Sequence, residues 1–375
     1  MKANLLVPSR YQPNFSDPRV RARVEAVLAF CKPMLVEKKA RPISSATLTK
    51  VFGNQKSALA ARLRHKLLQQ EGTYKPGKHS FSYLLKREGY AELAAAVGQS
   101  VASDLDVARE VFGSIASGVE VPEYTEPTPG ARRYHSVQNL PKALRAQVFK
   151  GWFDYDIEAA APTLVYQLAC KVLRDLYPEK TAMPYPSVAR LVQDRSSVRQ
   201  HIADVTGLDI ATAKSIVVAL FFGAKLVPNE KQAIYRLVGM DRLTMYRLKA
   251  DQFVRDFRRD VAAMWQLVLN SENANNGLAT FKGGPVVAKA ATKSKQRMAV
   301  YLRLERLVID AVESVLLADQ AVHVLIHDGF MVGTRVDLSR VEQVVREQTG
   351  YSIRLAESRM DEAESDESFE LIEEG

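Results

Sequence analysis

The chain has 375 residues, of which 47% are hydrophobic and 25% are charged, so it is long enough for two or three domains with ordinary globular cores. It contains no run of about 18 apolar residues, which excludes a predicted membrane span, and its only cysteines, Cys31 and Cys170, exclude a disulfide framework or a cysteine zinc site. The formal net charge is +9, but nine acidic residues and one arginine fall within 357–375, which leaves +17 on residues 1–356.

This charge distribution indicates a polyanionic partner. A protein region with such an excess of lysine and arginine as 1–356 attracts nucleic acid. The acidic tail, 357–375, has low hydrophobicity and is predicted to be disordered. The N-terminal sequence MKANLLVPSRYQ lacks the apolar core of a signal peptide. We therefore expect a cytoplasmic protein, in a bacterial or phage-infected host cell, without a membrane partner.

Residues 1–116 are predicted to be helical. Within them, 43–72 reads as a helix, a Gly-Asn turn and a second helix, the pattern of a helix-turn-helix. The second helix is basic, and its candidate nucleic-acid contacts are Arg62, Arg64 and Lys66. A helical pair with a solvated basic face is an equally good interpretation.

Residues 117–136 are rich in proline and glycine and are predicted to be a linker. Arg132 and Arg133 lie at its end and are candidate contacts to a nucleic-acid template. The stretch 148–177 then reads as a strand that ends in Asp154 and Asp156, followed by a helix with Pro162 in its first turn.

Helical periodicity continues from about 187 to 270, and a polar, glycine-rich stretch at 270–285 is predicted to be a mobile loop. Lysines in and after this loop, among them Lys282 and Lys293, are further candidate nucleic-acid contacts. A long helix is predicted over 296–318. The segment 322–332, VHVLIHDGFMV, then reads as strand, turn and strand with His327 and Asp328 at the turn.

Two acid-bearing strands about 170 residues apart raise the question of what balances their charge. Two Mg²⁺ ions about 3.5–4 Å apart, held by Asp156 and Asp328, can activate a 3′-hydroxyl and stabilise a leaving pyrophosphate. A triphosphate also needs a cation, which Lys214 on an intervening helix can supply. Phe222 lies eight residues on and can stack on a base, and Gly223 permits close approach of nucleic acid.

These residues resemble three motifs of the A-type polymerase superfamily, the A-family DNA polymerases and the single-subunit phage-type RNA polymerases. The segment 153-FDYDIEAAAPTLV-165 resembles motif A, 214-KSIVVALFFG-223 resembles motif B, and 326-IHDGF-330 resembles motif C with its His-Asp pair. The resemblance implies metal binding by Asp156 and Asp328, triphosphate binding by Lys214, and nucleotide contacts from Phe222, Gly223 and His327. The ions are expected to be Mg²⁺, with Mn²⁺ as a substitute.

The resemblance also implies a fold. We expect an α+β protein that is mainly helical, with a small antiparallel palm sheet in a polymerase-like right hand and a helical N-terminal region. Its parts would be 1–116, nucleic-acid binding; 117–136, linker; 137–170 and 296–356, palm; 171–295, fingers; and 357–375, a disordered tail.

Several assignments stay open. Asp154 is an alternative metal ligand to Asp156, and the spacing of DIEAAAPTL also fits the B-family motif A, although the B-family Asp-Thr-Asp is absent. The arginine expected one turn before the motif B lysine is replaced by Ile210, and Arg195 or Arg199 is the substitute. Taken singly, the acids also fit helix caps, His-Asp-Gly fits a hairpin turn, Lys214 fits a surface position and Phe222 a core position.

The residue that follows motif A bears on the choice of sugar. DNA polymerases of the superfamily have a bulky glutamate five positions after the aspartate, whereas this chain has Ala161, or Ala159 in the other register. Space for a ribose 2′-hydroxyl predicts synthesis of RNA on a DNA template from nucleoside triphosphates, with deoxynucleotides as further substrates. Phe222 lacks the tyrosine hydroxyl that helps RNA-making relatives to choose ribose.

The predicted function is that of a compact phage or mobile-element primase, or small RNA polymerase, acting with other replication proteins. Two alternatives remain: a non-catalytic DNA-binding replication initiator, and a two-metal nuclease.

Overall fold

The computed structural model describes residues 13–37, 40–54, 57–71, 80–99, 103–126, 132–179, 184–276 and 292–360. Within them the chain forms two compact units. The first contains the residues up to Glu123 together with His135–Trp152, and the second contains Tyr124–Tyr134 and the residues from Phe153 onwards. The fold is mixed α+β and mainly helical, as predicted, with two small antiparallel sheets.

The first unit is built from helices and one three-stranded sheet. Its elements are α1 (Pro18–Cys31), a 3₁₀ helix (Lys32–Leu35), β1 (Arg41–Ser44), α2 (Ser45–Phe52), α3 (Ala58–Leu67), β2 (Leu68–Glu71), β3 (Ser80–Leu85), α4 (Arg87–Ala96), α5 (Asp104–Ala116), a second 3₁₀ helix (Ser136–Asn139) and α6 (Lys142–Val148). The sheet order is β1-β3-β2, and both pairings are antiparallel.

The predicted pair of helices is confirmed as α2 and α3. Ser44 and Ser57 cap them, each accepting a hydrogen bond from the backbone three residues on, and Gly53 ends α2 with a φ of +99°. The prediction that residues 1–116 are helical is wrong at β3, a strand that precedes α4. The reason is that β3 must pair with β1 and β2, a long-range contact that local periodicity does not show.

Two basic residues of α3 are engaged within this unit. Arg64 donates to the carbonyl of Gly53 at 3.1 Å and stacks over the Phe52 ring, and burial lowers its pKa. Arg64 therefore holds the turn between the helices, and its contact with nucleic acid stays a prediction. Lys66 forms an ion pair with Glu92 of α4.

The second unit contains a four-stranded sheet and the longer helices. Its elements are β4 (Phe153–Ile157), α7 (Ala160–Leu176), α8 (Pro186–Gln193), α9 (Arg195–Thr206), α10 (Ile210–Phe221), α11 (Ala233–Leu237), α12 (Arg242–Ala250), α13 (Gln252–Asn276), α14 (Lys293–Ala318), β5 (His323–Ile326), β6 (Gly329–Val332), α15 (Leu338–Thr349) and β7 (Leu355–Arg359).

The sheet order is β5-β6-β4-β7, with every pair antiparallel. β4 therefore lies between the β5–β6 hairpin and β7. Its Tyr155 is fully buried, stacks on Phe330 of β6 with ring centroids 4.9 Å apart, and donates from its hydroxyl to Glu357 at 2.8 Å. Because side chains alternate along a strand, this inward Tyr155 directs Asp154 and Asp156 to the opposite face.

Several predicted boundaries differ from the structure. Residues 137–152 group with the first unit and not with the second. Helix α13 continues to Asn276, beyond the predicted start of a loop at 270, and residues 277–291 lie outside the described part. Glu357 belongs to β7, so predicted disorder from that residue is wrong for the end of the strand, whereas residues 361–375 are not described. Among the described residues, no helix is long and apolar enough to cross a membrane.

We expect Gly329→Ala to destabilise the second unit by about 3 kcal/mol. A Cβ at this position would lie 2.2 Å from the Tyr155 carbonyl oxygen and 2.6 Å from Asp156 Oδ1, so β4 and β6 would have to separate. Calorimetric unfolding of the full chain measures the loss. Gly113→Ala in α5 is the control, because nothing lies within 4 Å of its Cβ and alanine favours a helix; an equal loss in both variants would contradict the explanation.

Candidate active site

The pairing of β4 with β6 brings the predicted acids together. Asp156 pairs directly with Gly329, and the amide of Ile157 donates to the carbonyl oxygen of Asp328 at 3.1 Å. The Asp156 carboxylate lies beside Gly329, where no side chain obstructs it. Asp154 is half-buried on the same strand face, two residue pairs further from the hairpin turn. The two motif aspartates are therefore neighbours across one strand pair.

His327 and Asp328 form the two-residue connection between β5 and β6. His327 has a φ of +52°, in the left-handed region that few L-residues adopt. The hairpin-turn interpretation of His-Asp-Gly is thus correct as local structure. It does not compete with a functional role, because the same turn delivers Asp328 next to Asp156.

The environment of Asp328 disfavours its charge. Burial, the neighbouring carboxylate of Glu305 and that of Asp156 raise its pKa to about 7, and the Arg132 guanidinium only partly offsets them. At neutral pH this carboxyl is therefore only partly ionised, and a cation bound beside it would stabilise the charged form. Such a site favours a bound cation.

Three cationic side chains of α9 and α10 belong to the same electrostatic cluster. Burial and the charge of Arg199 lower the pKa of Lys214, while Asp156 and Asp328 oppose this decrease. Burial and Arg195 in turn lower the pKa of Arg199, and Glu158 opposes it. Lys214 thus lies near both acids, with arginines beside it, which is the position predicted for a triphosphate-binding lysine.

Arg195 and Arg199 differ in their availability. Arg195 donates to Glu158 at 2.8 Å, so its charge is paired. Arg199 is half-buried and makes no ion pair or hydrogen bond to any residue that the structure describes. Of the two predicted substitutes for the missing motif B arginine, Arg199 is the one left for an anionic ligand.

A buried ion pair lies behind the hairpin turn. Arg132 donates through Nε to Glu305 at 2.7 Å, pairs with the second oxygen of the same carboxylate, and places Nη1 3.4 Å from His327 Nδ1. Burial by itself would lower the pKa of Arg132, but its bonds to Glu305 outweigh burial and raise it. Tyr301 is hydrogen-bonded to the same glutamate, and its hydroxyl pKa is raised by burial, Asp328 and Glu305.

The predicted template contacts Arg132 and Arg133 are engaged in ion pairs within this unit, and their contact with a template stays a prediction. Arg133 forms ion pairs with Asp310 and Glu313 of α14, as Arg132 does with Glu305. Both belong to the stretch Tyr124–Tyr134, which holds to this unit also through a 2.7 Å hydrogen bond from the Leu325 amide to the Tyr124 hydroxyl. The middle of the predicted linker is therefore bound to the second unit. We call the described residues of Tyr124–Tyr134 the strap, and this strap stabilises α14 and the hairpin.

The end of α10 is fixed by contacts within the chain. The Phe222 ring is half-buried and touches Phe221, Trp265 and Tyr301, with centroid distances between 5.4 and 6.2 Å. Gly223 has a φ of +89°, and an added Cβ would overlap the guanidinium of Arg297, which donates to the Phe222 carbonyl at 2.8 Å. The group that approaches Gly223 closely is thus Arg297, which corrects the interpretation that nucleic acid does so.

The remaining predicted residues lie as follows. Ala161 is half-buried in the first turn of α7, two residues after Ala159, whose φ of +46° makes the sharp turn out of β4. Lys293 is exposed in the first turn of α14. Lys282 lies outside the described residues.

Sequence reasoning missed the contributions of Tyr301, Arg297 and Glu158. All three are polar residues in stretches read as ordinary helix or turn. The one available signal was a buried glutamate and tyrosine four residues apart on an otherwise apolar helix face.

The donor set fits a divalent cation. The described residues contain no group of three or more Asp, Glu, His or Cys side chains arranged around a metal position. Asp156 and Asp328 nevertheless supply neighbouring carboxylates, and Mg²⁺ commonly takes one or two protein carboxylates and completes its shell with water and substrate phosphates.

Comparison with known proteins assigns the chain to no family. No protein-family model matches the chain, and a search of the curated proteins finds no match. The argument for function therefore depends on the geometry and charges of these residues.

We expect Asp328→Asn to stabilise the metal-free protein by about 1–3 kcal/mol at pH 8. The carboxyl pKa is about 7 in the folded protein, whereas its ordinary value is 3.8. Ionisation therefore destabilises the folded state progressively as the pH rises between these two values, and by a constant amount above them. The gain in melting temperature over the natural protein, measured in EDTA, should therefore be smaller at pH 5 than at pH 8. Asp175→Asn, on the exposed end of α7, is the control; an Asp328→Asn gain that does not vary with pH would contradict this account.

Proposed function

We propose that the protein is a template-directed nucleotidyltransferase that makes RNA on a DNA template, and that also accepts deoxynucleotides. The observation that carries the proposal is the arrangement of opposite charges around one strand pair. Asp156 and Asp328 carry negative charge that calls for cations, while Lys214 and Arg199 are half-buried cations with lowered pKa values that call for an anion. A metal-bound nucleoside triphosphate satisfies both requirements at once.

In the proposed reaction, the 3′-hydroxyl oxygen of one nucleotide attacks the α-phosphorus of an incoming triphosphate. A new P–O bond forms, the α–β bond breaks, pyrophosphate leaves, and the hydroxyl proton passes to water. Mg²⁺ held by Asp156 and Asp328 would activate the hydroxyl and stabilise charge on the leaving group. Asp154, on the same strand face, is the candidate for an additional metal contact.

The protein side chains position the triphosphate. Lys214 and Arg199 neutralise the β- and γ-phosphates, and their mutual repulsion is relieved when these phosphates bind. Phe222, held between Trp265 and Tyr301, presents a fixed aromatic edge at the end of the same helix. The Arg132–Glu305 pair keeps His327 and Asp328 in place.

This arrangement favours a nucleotidyltransferase over the alternatives. A nuclease needs the acids and metal but gives no reason for half-buried cations that face them. A non-catalytic initiator gives no reason for placing a carboxylate of pKa about 7 beside a second carboxylate. Degradation of labelled DNA, or DNA binding without nucleotide incorporation, would favour the respective alternative.

We expect the purified chain to incorporate labelled nucleotides on single-stranded DNA with Mg²⁺ and without a primer. Asp156→Asn and Asp328→Asn should each lower the rate by more than about 100-fold, because the charge that binds the metal is lost. Arg199→Met should mainly raise the KM for nucleotide, and Lys214→Met should mainly lower kcat.

Matched controls are available on the same unit. Asp175→Asn and Arg346→Met change exposed residues of α7 and α15 and should leave incorporation unchanged. Full activity in Asp328→Asn, while the control variants behave like the natural protein, would refute the proposal.

We expect Ala161→Glu to reduce the use of ribonucleotides relative to deoxynucleotides by about tenfold, through crowding of the 2′-hydroxyl. Glutamate is favourable in the first turn of α7, so the variant should fold. The ratio of kcat/KM for the two sugars is the measurement. An unchanged ratio would mean that Ala159, in the alternative register, or another residue faces the sugar.

A further inference from the structure

The first unit contains an element order that the proposed reaction does not use. Helix α1 is followed by β1, the α2–α3 pair, and the β2–β3 hairpin, and β1 pairs with β3 so that a three-stranded sheet closes against the helices. This is a helix-turn-helix backed by a small sheet, the arrangement of winged helix-turn-helix domains. In helix-turn-helix proteins the second helix of the pair enters the major groove of duplex DNA.

Helix α3 has two distinct faces. Ala60, Leu63 and Leu67 are buried, which fixes the inner face. A second set of residues follows the i, i+3, i+4, i+7 spacing of a single stripe, and none of its members is buried: Ala58, Ala61, Arg62 and His65. We call these four residues the outer stripe of α3.

The chemistry of the outer stripe matches base edges in the major groove. Two alanines leave room for close approach and can contact thymine methyl groups, and an arginine can bond to the acceptors of guanine. Arg64, whose guanidinium is held by Gly53 and Phe52, fixes the angle of α3 but is not part of this surface.

The surroundings of the stripe are basic. A cavity of about 760 Å³ is lined by Arg62 and His65 of the stripe together with Lys66, Lys86 and Arg87 and two glutamates of α4. The described residues between 50 and 92 contain six lysines and arginines against three glutamates. Ion pairs use part of this charge, since Lys66 binds Glu92 and Arg87 binds Asp104, but the excess is positive and complementary to a phosphate backbone.

From these observations we infer that the first unit binds duplex DNA, with the outer stripe of α3 in the major groove and the flanking lysines and arginines against phosphates. This site is separate in chemistry from the acid pair, because it needs no metal and no triphosphate. It gives the protein a means of choosing a double-stranded start site independently of nucleotide transfer.

The test is binding of the full chain to a labelled duplex of mixed sequence and to a single strand of equal length, followed by fluorescence anisotropy in EDTA. Arg62→Ala should weaken duplex binding by about tenfold. Ala61→Glu should weaken it at least as much, because a carboxylate would face the DNA. Selection from a randomised duplex library should enrich sequences with the natural protein and fail to enrich them with Arg62→Ala.

Two sets of variants serve as controls. Arg109→Ala removes an exposed arginine of α5 in the same unit and should bind the duplex like the natural protein. Asp156→Asn combined with Asp328→Asn should abolish incorporation but leave duplex binding unchanged, which separates a failure of this inference from a failure of the proposed reaction.

Several outcomes would overturn the inference. These are duplex affinity that is unchanged in both Arg62→Ala and Ala61→Glu, binding to single strands or RNA in preference to the duplex, or an equal loss in Arg109→Ala. Circular dichroism melting checks that each variant is folded. If Ala61→Glu is not folded, the conservative variant His65→Gln replaces it.

Discussion

The antiparallel contact between β4 and β6 is the constraint on which the candidate active site depends. Backbone hydrogen bonds and the stacking of Tyr155 on Phe330 hold Asp156 beside Asp328, although the two carboxylates repel each other. Gly329 makes the close approach geometrically feasible because it has no Cβ. The fold thus stores unfavourable electrostatic energy at one place, and a bound cation relieves it.

The same constraint accounts for the cations around the acids. Lys214 and Arg199 are half-buried on neighbouring helices, where burial and mutual repulsion disfavour their charged forms. Behind the turn, the Arg132–Glu305 pair is nearly closed to solvent and directly contacts His327. An ion pair therefore lies beside His327, whereas the carboxylates of Asp156 and Asp328 interact with the charge of Lys214.

The basic residues of the chain divide according to what surrounds them. Arg64, Arg132, Arg133 and Arg297 direct their guanidinium groups to carbonyls, carboxylates or aromatic rings within their own unit. Arginine suits such positions because its planar group satisfies several partners when it is partly desolvated. The proposed contacts to nucleic acid and nucleotide use other basic residues, Arg62 on the outer stripe of α3 and Arg199 on α9.

The sequence by itself determined the mainly helical α+β class, the α2–α3 pair, the strand–turn–strand around Asp328 and the three acid- and lysine-bearing segments, because helix caps, period-two alternation and Asp-Gly turns are local signals. The tertiary structure alone decided that Asp156 lies opposite Gly329, that Arg199 and not Arg195 is unpaired among the described residues, and that the predicted linker is a strap. It also placed β3 where a helix was predicted. Strand pairing and ion-pair choice join residues far apart in the chain, so no local pattern of residues contains them.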